Sequence, residues 1–378
     1  MNDLESFKNI AQKEKKFVIY GAQHHAHCMC IALKILVPEI SLLFFMVSDK
    51  KNNPDSMEGI VVRDIGECAQ EDRNIPILVA ASEKYYDEIY EALRIKKFVN
   101  IINGTFGGRF DNDVRELYFK KCFPAGNLEF KMLRQAADNA DLKSVQAGRK
   151  ETDIGMYMAK SIVDRKLQKE PEIPEYMHVV QAGAALAEKQ IASYRDDVGE
   201  NISHKNRNYC ECTVTYYIWK NAAEDYVGLC HYRRRFVWDD SDLEALRRNR
   251  ADVVLPCPVI TVKGQYDIHY KPYVEEQVFN TMLSVLEEHF PEYYETALEV
   301  MQGDLFYPCN ILMAKKKVFD AYARWLFEVL EKVEDICGDE TVRNDRYLGY
   351  LAEHLTTFYF VRNRNDLNIV HSRMEILK

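Results

Sequence analysis

Four short apolar runs mark the first hundred residues: Lys16–Tyr20, Ser41–Val47, Ile77–Ala81 and Val99–Ile102. Helix-length segments separate them. The first run ends in Gly21 and leads into a segment carrying Ala26, Met29, Ile31, Ala32, Leu33 and Ile35. The third follows Pro76 and leads through Ser82, a candidate N-cap, into a helix expected over Glu83–Arg94. Strands that alternate with helices cannot pair as hairpins. They must cross over into a parallel sheet with helices on both faces. Residues 1–105 are therefore expected to form a Rossmann-like α/β domain.

The turn after the first strand is Gly21-Ala-Gln-His-His-Ala26. A dinucleotide fingerprint needs a second glycine where Gln23 stands, so that backbone can approach a pyrophosphate. Gln23 fills that space, which argues against NAD. His24 and His25 either meet a phosphate or are simply solvated. Through Val18–Ala22 and Ile77–Ala81, residues 14–105 resemble the small Rossmann-like domain ahead of bacterial sugar acyltransferases and glycosyltransferases.

Residues 106–150 read as a helical connector, with helices expected over 114–121 and 128–140. The chain of 378 residues carries 50 Lys and Arg against 59 Asp and Glu, a net charge of -9. That balance excludes broad binding to nucleic acid. No run approaches the roughly 20 apolar residues of a membrane span. The acidic start, Met1–Glu5, does not read as a signal peptide. Ten cysteines without a C-x-x-C pair are expected to be reduced, buried thiols of a cytoplasmic protein.

From about Thr152 the character changes. Asp197, Glu200, Asn201, Ser203, Lys205 and Asn206 gather around a turn-forming stretch. A helix is then expected, with Tyr209, Thr213, Tyr216 and Lys220 at helical spacing and Glu211 within it. Its amides, hydroxyls and flat rings suit a polyhydroxylated ligand, although a capped core helix also accounts for the aromatics. A buried strand, Val227–Cys230, runs straight into His231, Tyr232, Arg233, Arg234 and Arg235. Ligands of open α/β sheets bind beyond the carboxyl ends of strands, and guanidiniums there make a forked anion site for a diphosphate. Pairing with Asp239, Asp240, Asp242 and Glu244 is the structural alternative.

Asp197–Asn221 followed by Val227–Phe236 resembles a bacterial polysaccharide-biosynthesis family known as domain of unknown function 4422. The likeness continues through Gln265–His269, Asn310–Met313, Phe319–Phe327 and Arg346–Leu355. It implies a GT-A-like mixed α/β glycosyltransferase domain over 151–378, related to galactofuranosyltransferases. Two departures stand out. The first strand, Met156–Ser161, lacks the family's histidine, and Asn310-Ile replaces Asn-Met.

The resemblance implies transfer of galactofuranose or another hexose from a nucleotide-sugar, a UDP-sugar foremost. The acceptor would be a glycan or lipid-linked glycan of capsule, exopolysaccharide or O-antigen synthesis. Peripheral membrane association and a homo-oligomer stay open. So does Mg²⁺ or Mn²⁺, for which Asp240-Ser-Asp242 is an Asp-x-Asp by its letters. Candidate catalytic bases are Asp304, His269 and Glu353. Candidate substrate contacts are Asp197, Glu200, Asn201, Ser203, Asn206, Tyr209, Glu211, Lys220, His231, Tyr232, Arg233, Arg234, Asn310 and Arg346. Arg346 and Glu353, seven apart, share a helix face and could equally pair with each other. The competing functions are a non-catalytic scaffold of the same pathway and, against the Gln23 evidence, an oxidoreductase.

Overall fold

The computed structural model describes residues 3–68, 73–123, 129–133, 152–236, 238–248, 251–339 and 341–377. The chain divides into two compact units, Met1–Phe123 and Pro124–Lys378.

The first unit holds β1 (Lys16–Tyr20), β2 (Ser41–Val47), β3 (Ser56–Met57), β4 (Ile60–Asp64), β5 (Ile77–Val79) and β6 (Ile101–Asn103). The parallel strands stand in the order β4-β2-β1-β5-β6, with β3 an antiparallel addition at the edge. This is a doubly wound order that reverses between β1 and β5. Phe17–Tyr20 and Ile77–Val79 are buried because helices cover both faces. Gly21 is required: at φ +126° a Cβ there would lie 2.5 Å from the Ala80 carbonyl oxygen.

Three features differ from the sequence expectation. Helix Asp3–Glu14 precedes β1 and buries Leu4, Phe7 and Ala11. The helix expected from Glu83 starts as a 3₁₀ turn and becomes α-helical only over Tyr86–Ile95. Helix Arg109–Cys122 belongs to this unit and not to a connector. It carries a buried ion pair, Arg115 Nη2 to Asp111 Oδ2 at 2.9 Å, and packs Phe110 edge-on against Phe7. The helix expected over 128–140 falls largely outside the described residues; within it, Met132 bridges to His371.

The second unit is built on β7 (Ile154–Lys160), β8 (Met177–Gln181), β9 (Tyr194–Arg195), β10 (Tyr226–His231), β11 (Arg234–Phe236), β12 (Val253–Pro256), β13 (Val259–Ile260), β14 (Leu305–Phe306), β15 (Leu312–Lys315), β16 (Ile369–Ser372) and β17 (Met374–Ile376). The main sheet runs β16-β12-β15-β10-β7-β8-β9, and β11 and β17 extend it from β10. Only β15 is antiparallel within the main run. The carboxyl ends of β7, β8, β9, β10, β12 and β16 therefore share one edge, where β15 begins. Asn310 stands at that beginning and His231 at the end of β10.

Met156, Met158, Cys230, Val254, Met313 and Val370 form the core of this sheet. Helix Glu276–His289 packs on Lys316–Cys337, and Pro291–Gln302 on Tyr347–Arg362. The last helix buries Leu348, Leu351, Ala352, Leu355, Phe358 and Phe360, so it lies in the interior rather than on a surface. Trp325 and Phe327 are core residues. All ten cysteines are free thiols. Among the described residues no helix is long and apolar enough to cross a membrane.

Candidate active site

The arginine run divides by strand geometry. A two-residue turn, Tyr232-Arg233, joins β10 to β11 and sets His231 opposite Arg234. Alternate side chains of a strand point to opposite faces. Arg235 goes to Glu375 Oε1 at 2.6 Å and the Glu172 carbonyl at 2.9 Å. Arg233, on the turn, donates to the Leu377 carbonyl at 3.4 Å. Arg234 interacts with Cys309, Glu353 and Glu211. Arg233 and Arg235 thus bond toward the C-terminal segment, and Arg234 faces the carboxylates of the pocket.

The helix expected from Ser203 is interrupted. A 3₁₀ turn, Ser203–Lys205, and a single turn, Asn206–Tyr209, stop at Cys210, and Cys212–Asn221 starts anew. Cys210 adopts φ +51°. The break turns Glu211 toward the sheet edge, where its Oε1 accepts a hydrogen bond from Asn310 Nδ2 at 2.9 Å. Asn310 is buried and fully engaged. It also donates to the Gly349 carbonyl at 3.2 Å and accepts from Thr356 Oγ1 at 3.1 Å. It positions Glu211.

His231 Nε2 lies 3.8 Å from Glu211 Oε1 and has no hydrogen-bond partner among the described residues. Burial, with Arg234 and Arg346 adding to it, holds the imidazole below its ordinary pKa despite Glu211. The contact is therefore carboxylate to neutral ring, not an ion pair.

Glu353 completes the pocket. It follows Tyr350 by three residues on one face of helix Tyr347–Arg362, which the left-handed Arg346 caps. Its Oε2 accepts from the Cys309 backbone N–H at 2.8 Å. Burial first, then the charge of Glu211, pushes its carboxyl up to about 7, against the pull of the Cys309 N–H, Arg234 and Arg346. Arg346 forms the rim, exposed, with its Nε 3.1 Å from Cys210 Sγ. Asp164, which caps the Ser161 N–H at 2.6 Å, feels both Arg346 and Glu211, and burial raises its pKa.

Cys210, Cys309, Asn310 and Arg346 all have left-handed backbones without being glycine, at φ +51°, +73°, +51° and +67°. Each such residue costs about 1–3 kcal/mol, and such strain persists where surrounding structure imposes it. All four border the Glu211–Glu353 pair.

The remaining sequence candidates lie elsewhere in the unit. Asp197 pairs with Arg195. Glu200 pairs with Lys220 at 2.8 Å and Tyr216 at 2.9 Å, and Asn201 bonds within its own turn. Tyr209 is buried with its hydroxyl on Glu334 at 3.0 Å. Tyr232 packs on the sheet core. Ser203 and Asn206 serve a framework centred on Asp196, which the sequence reading passed over for Asp197. The buried Asp196 carboxylate accepts from the backbone N–H groups of Gly183 and Ala184 and from the hydroxyls of Ser203 and Thr213, at 2.5–2.9 Å. Gly183 (φ +67°) leaves room for Asn206, which would sit 2.7 Å from an added Cβ. Asp196→Ala strands these donors and should cost about 3 kcal/mol or more, visible as a lower urea midpoint.

Asp304 lies beside Lys263 at 3.7 Å, at the start of β14. His269 stacks on Phe306 at 5.2 Å, two residue layers from the pocket through Tyr266 and His354. Asp240-Ser-Asp242 does not fit a metal: Asp239 and Asp242 make a reciprocal capping box on helix Asp240–Arg247. Among the described residues no group of three His, Cys, Asp or Glu side chains is placed to hold a metal ion.

No curated protein matches the sequence. Among solved structures, the apo form of WbbM, a bifunctional glycosyltransferase, superposes with a TM-score of 0.51 at 24% identity. The match covers 60% of this chain and 46% of that one, so the chain corresponds to less than half of WbbM. At that identity the likeness speaks for the α/β fold. The sequence model described as Domain of unknown function (DUF4422) matches residues 162–364, which contain Glu211, Arg234, Asn310, Arg346 and Glu353 and make up more than half of the chain. The chain belongs to the DUF4422 family.

Proposed function

We propose that the chain is a glycosyltransferase that moves a hexose from a UDP-sugar to a glycan or lipid-linked glycan acceptor in the synthesis of a bacterial surface polysaccharide. The observation that carries this reading is Glu353. It is a carboxyl tuned to about 7, at the carboxyl edge of an α/β sheet, faced by the guanidiniums of Arg234 and Arg346. A general base works best with a pKa near the operating pH, and a departing diphosphate needs fixed positive charge. The fold shared with a protein named as a glycosyltransferase supports the same reading.

The chemistry is a single displacement. Glu353 takes the proton of an acceptor hydroxyl as its oxygen bonds to the anomeric carbon. The bond from that carbon to the diphosphate breaks, and its electron pair leaves with UDP. Arg234 and Arg346 balance the developing charge. Glu211, held by Asn310, raises Glu353, and the Cys309 backbone orients His231. We place this work in the cytoplasm, beside the membrane where a lipid-linked acceptor resides.

The test is calorimetric titration of the purified protein with UDP-, GDP- and dTDP-sugars, followed by assay of nucleotide release. Binding of one UDP-sugar is the expected result. Failure of every donor to bind overturns the enzyme reading and leaves a scaffold protein.

A further inference from the structure

The mouth of the pocket carries an aromatic pair that the chemistry above does not use. Tyr350 stands on one face of helix Tyr347–Arg362, between the N-cap Arg346 and Glu353. The Arg346 guanidinium carbon lies 5.5 Å from the centre of the Tyr350 ring. Tyr273, in the turn after Asp267–Tyr270, stacks on Tyr350 with ring centres 4.9 Å apart and planes 25° apart. Tyr273 nevertheless keeps 57% of its surface exposed. One ring face is thus covered by Tyr350 while the residue remains open to solvent. The open, flat, electron-rich face suits the C–H face of a sugar ring.

We infer that Tyr273, backed by Tyr350, is the platform for the acceptor, on which a pyranose ring of the glycan lies with one hydroxyl directed at Glu353. The assignment rests on the glycosyl-transfer reading, and position selects the occupant. Tyr350 is three residues from Glu353, about 4.5 Å along the helix axis, and the two groups interact electrostatically. The acceptor hydroxyl must touch the base, so the acceptor ring lies within a residue's reach of it. The nucleobase of the donor is separated from the reacting carbon by ribose and diphosphate and belongs further away. Arg346 joins the two halves of the site, lying against the platform on one side and the pocket carboxylates on the other.

Saturation-transfer NMR on the full chain tests this, with methyl β-galactopyranoside, methyl α-glucopyranoside and methyl α-mannopyranoside as probes and UDP alongside. The wild type should pass saturation to the ring C–H protons of at least one pyranoside. Tyr273→Ala should weaken that signal by roughly fivefold or more, Tyr273→Phe should keep it, and the UDP signal should stay unchanged in both. Tyr273 is exposed, so its loss leaves the fold intact, which circular dichroism verifies. The platform is overturned if no pyranoside responds, if Tyr273→Ala responds like the wild type, or if Tyr273→Ala loses UDP instead, which would make the pair a nucleobase stack. Wild-type protein that ignores UDP sinks the glycosyl-transfer reading separately, and the pyranoside arm still decides whether Tyr273 holds a sugar.

Discussion

Glu353→Gln is expected to lower turnover roughly 10²–10⁴-fold, the usual worth of a general base, without weakening UDP binding. In the wild type, kcat/KM should climb with pH up to about 7 and then level off, because Glu353 works only when ionised. The same carboxyl fixes a stability signature. Its folded pKa is raised from the usual 4.5 to about 7, so the native state holds the proton more tightly than the unfolded chain. That contribution is fully present below about pH 4.5 and is lost as pH rises through about 7. Glu353→Gln removes the loss. The variant should be more stable than the wild type above about pH 8 and converge with it in acid, as thermal melts across pH would record. An active variant, or a stability difference that ignores pH, would rule out this role for Glu353.

Arg234→Ala should weaken UDP binding by roughly two orders of magnitude, a typical cost of removing one partner from a desolvated charge pair. It should also move the pH profile to higher pH, because Arg234 helps to hold the Glu353 carboxyl down. Arg233→Ala breaks only a bond to the Leu377 carbonyl and should leave UDP affinity near the wild-type value. Calorimetric titration of both variants separates a built site from a diffuse basic patch. Equal losses in the two would mean that the run acts merely through its summed charge.

The two arginines illustrate how much of the site was legible in advance. His231–Arg235 was recognisable as cations at the end of a strand, because a buried apolar run leading into charge has few other readings. Which arginine enters the pocket depends on the register of β10, β11 and β17, and β17 lies some 140 residues away in the chain. The sequence offers Glu353 as a base beside Asp304 and His269, and its seven-residue spacing to Arg346 reads first as structural pairing. Only the packing of helix Tyr347–Arg362 against the break at Cys210 distinguishes them. Asp164 and Asp196 carried no local signal at all. Each is an ordinary acidic residue in a polar stretch, and each acquires its role from partners supplied by other segments.

The sequence by itself determined the alternation of β1, β2, β5 and β6 with helices and the Gly21 turn, where Gln23 departs from a dinucleotide fingerprint. Those features follow from the period of apolar residues and from backbone sterics, which act over a few neighbours. The tertiary structure decided the interruption at Cys210, the left-handed backbones of Cys309, Asn310 and Arg346, and the tuning of Glu353. No local preference favours a left-handed cysteine or a carboxyl that ionises near neutrality. Both exist only because burial and charges from distant segments converge on one edge of the sheet and stabilise there what the isolated chain would avoid.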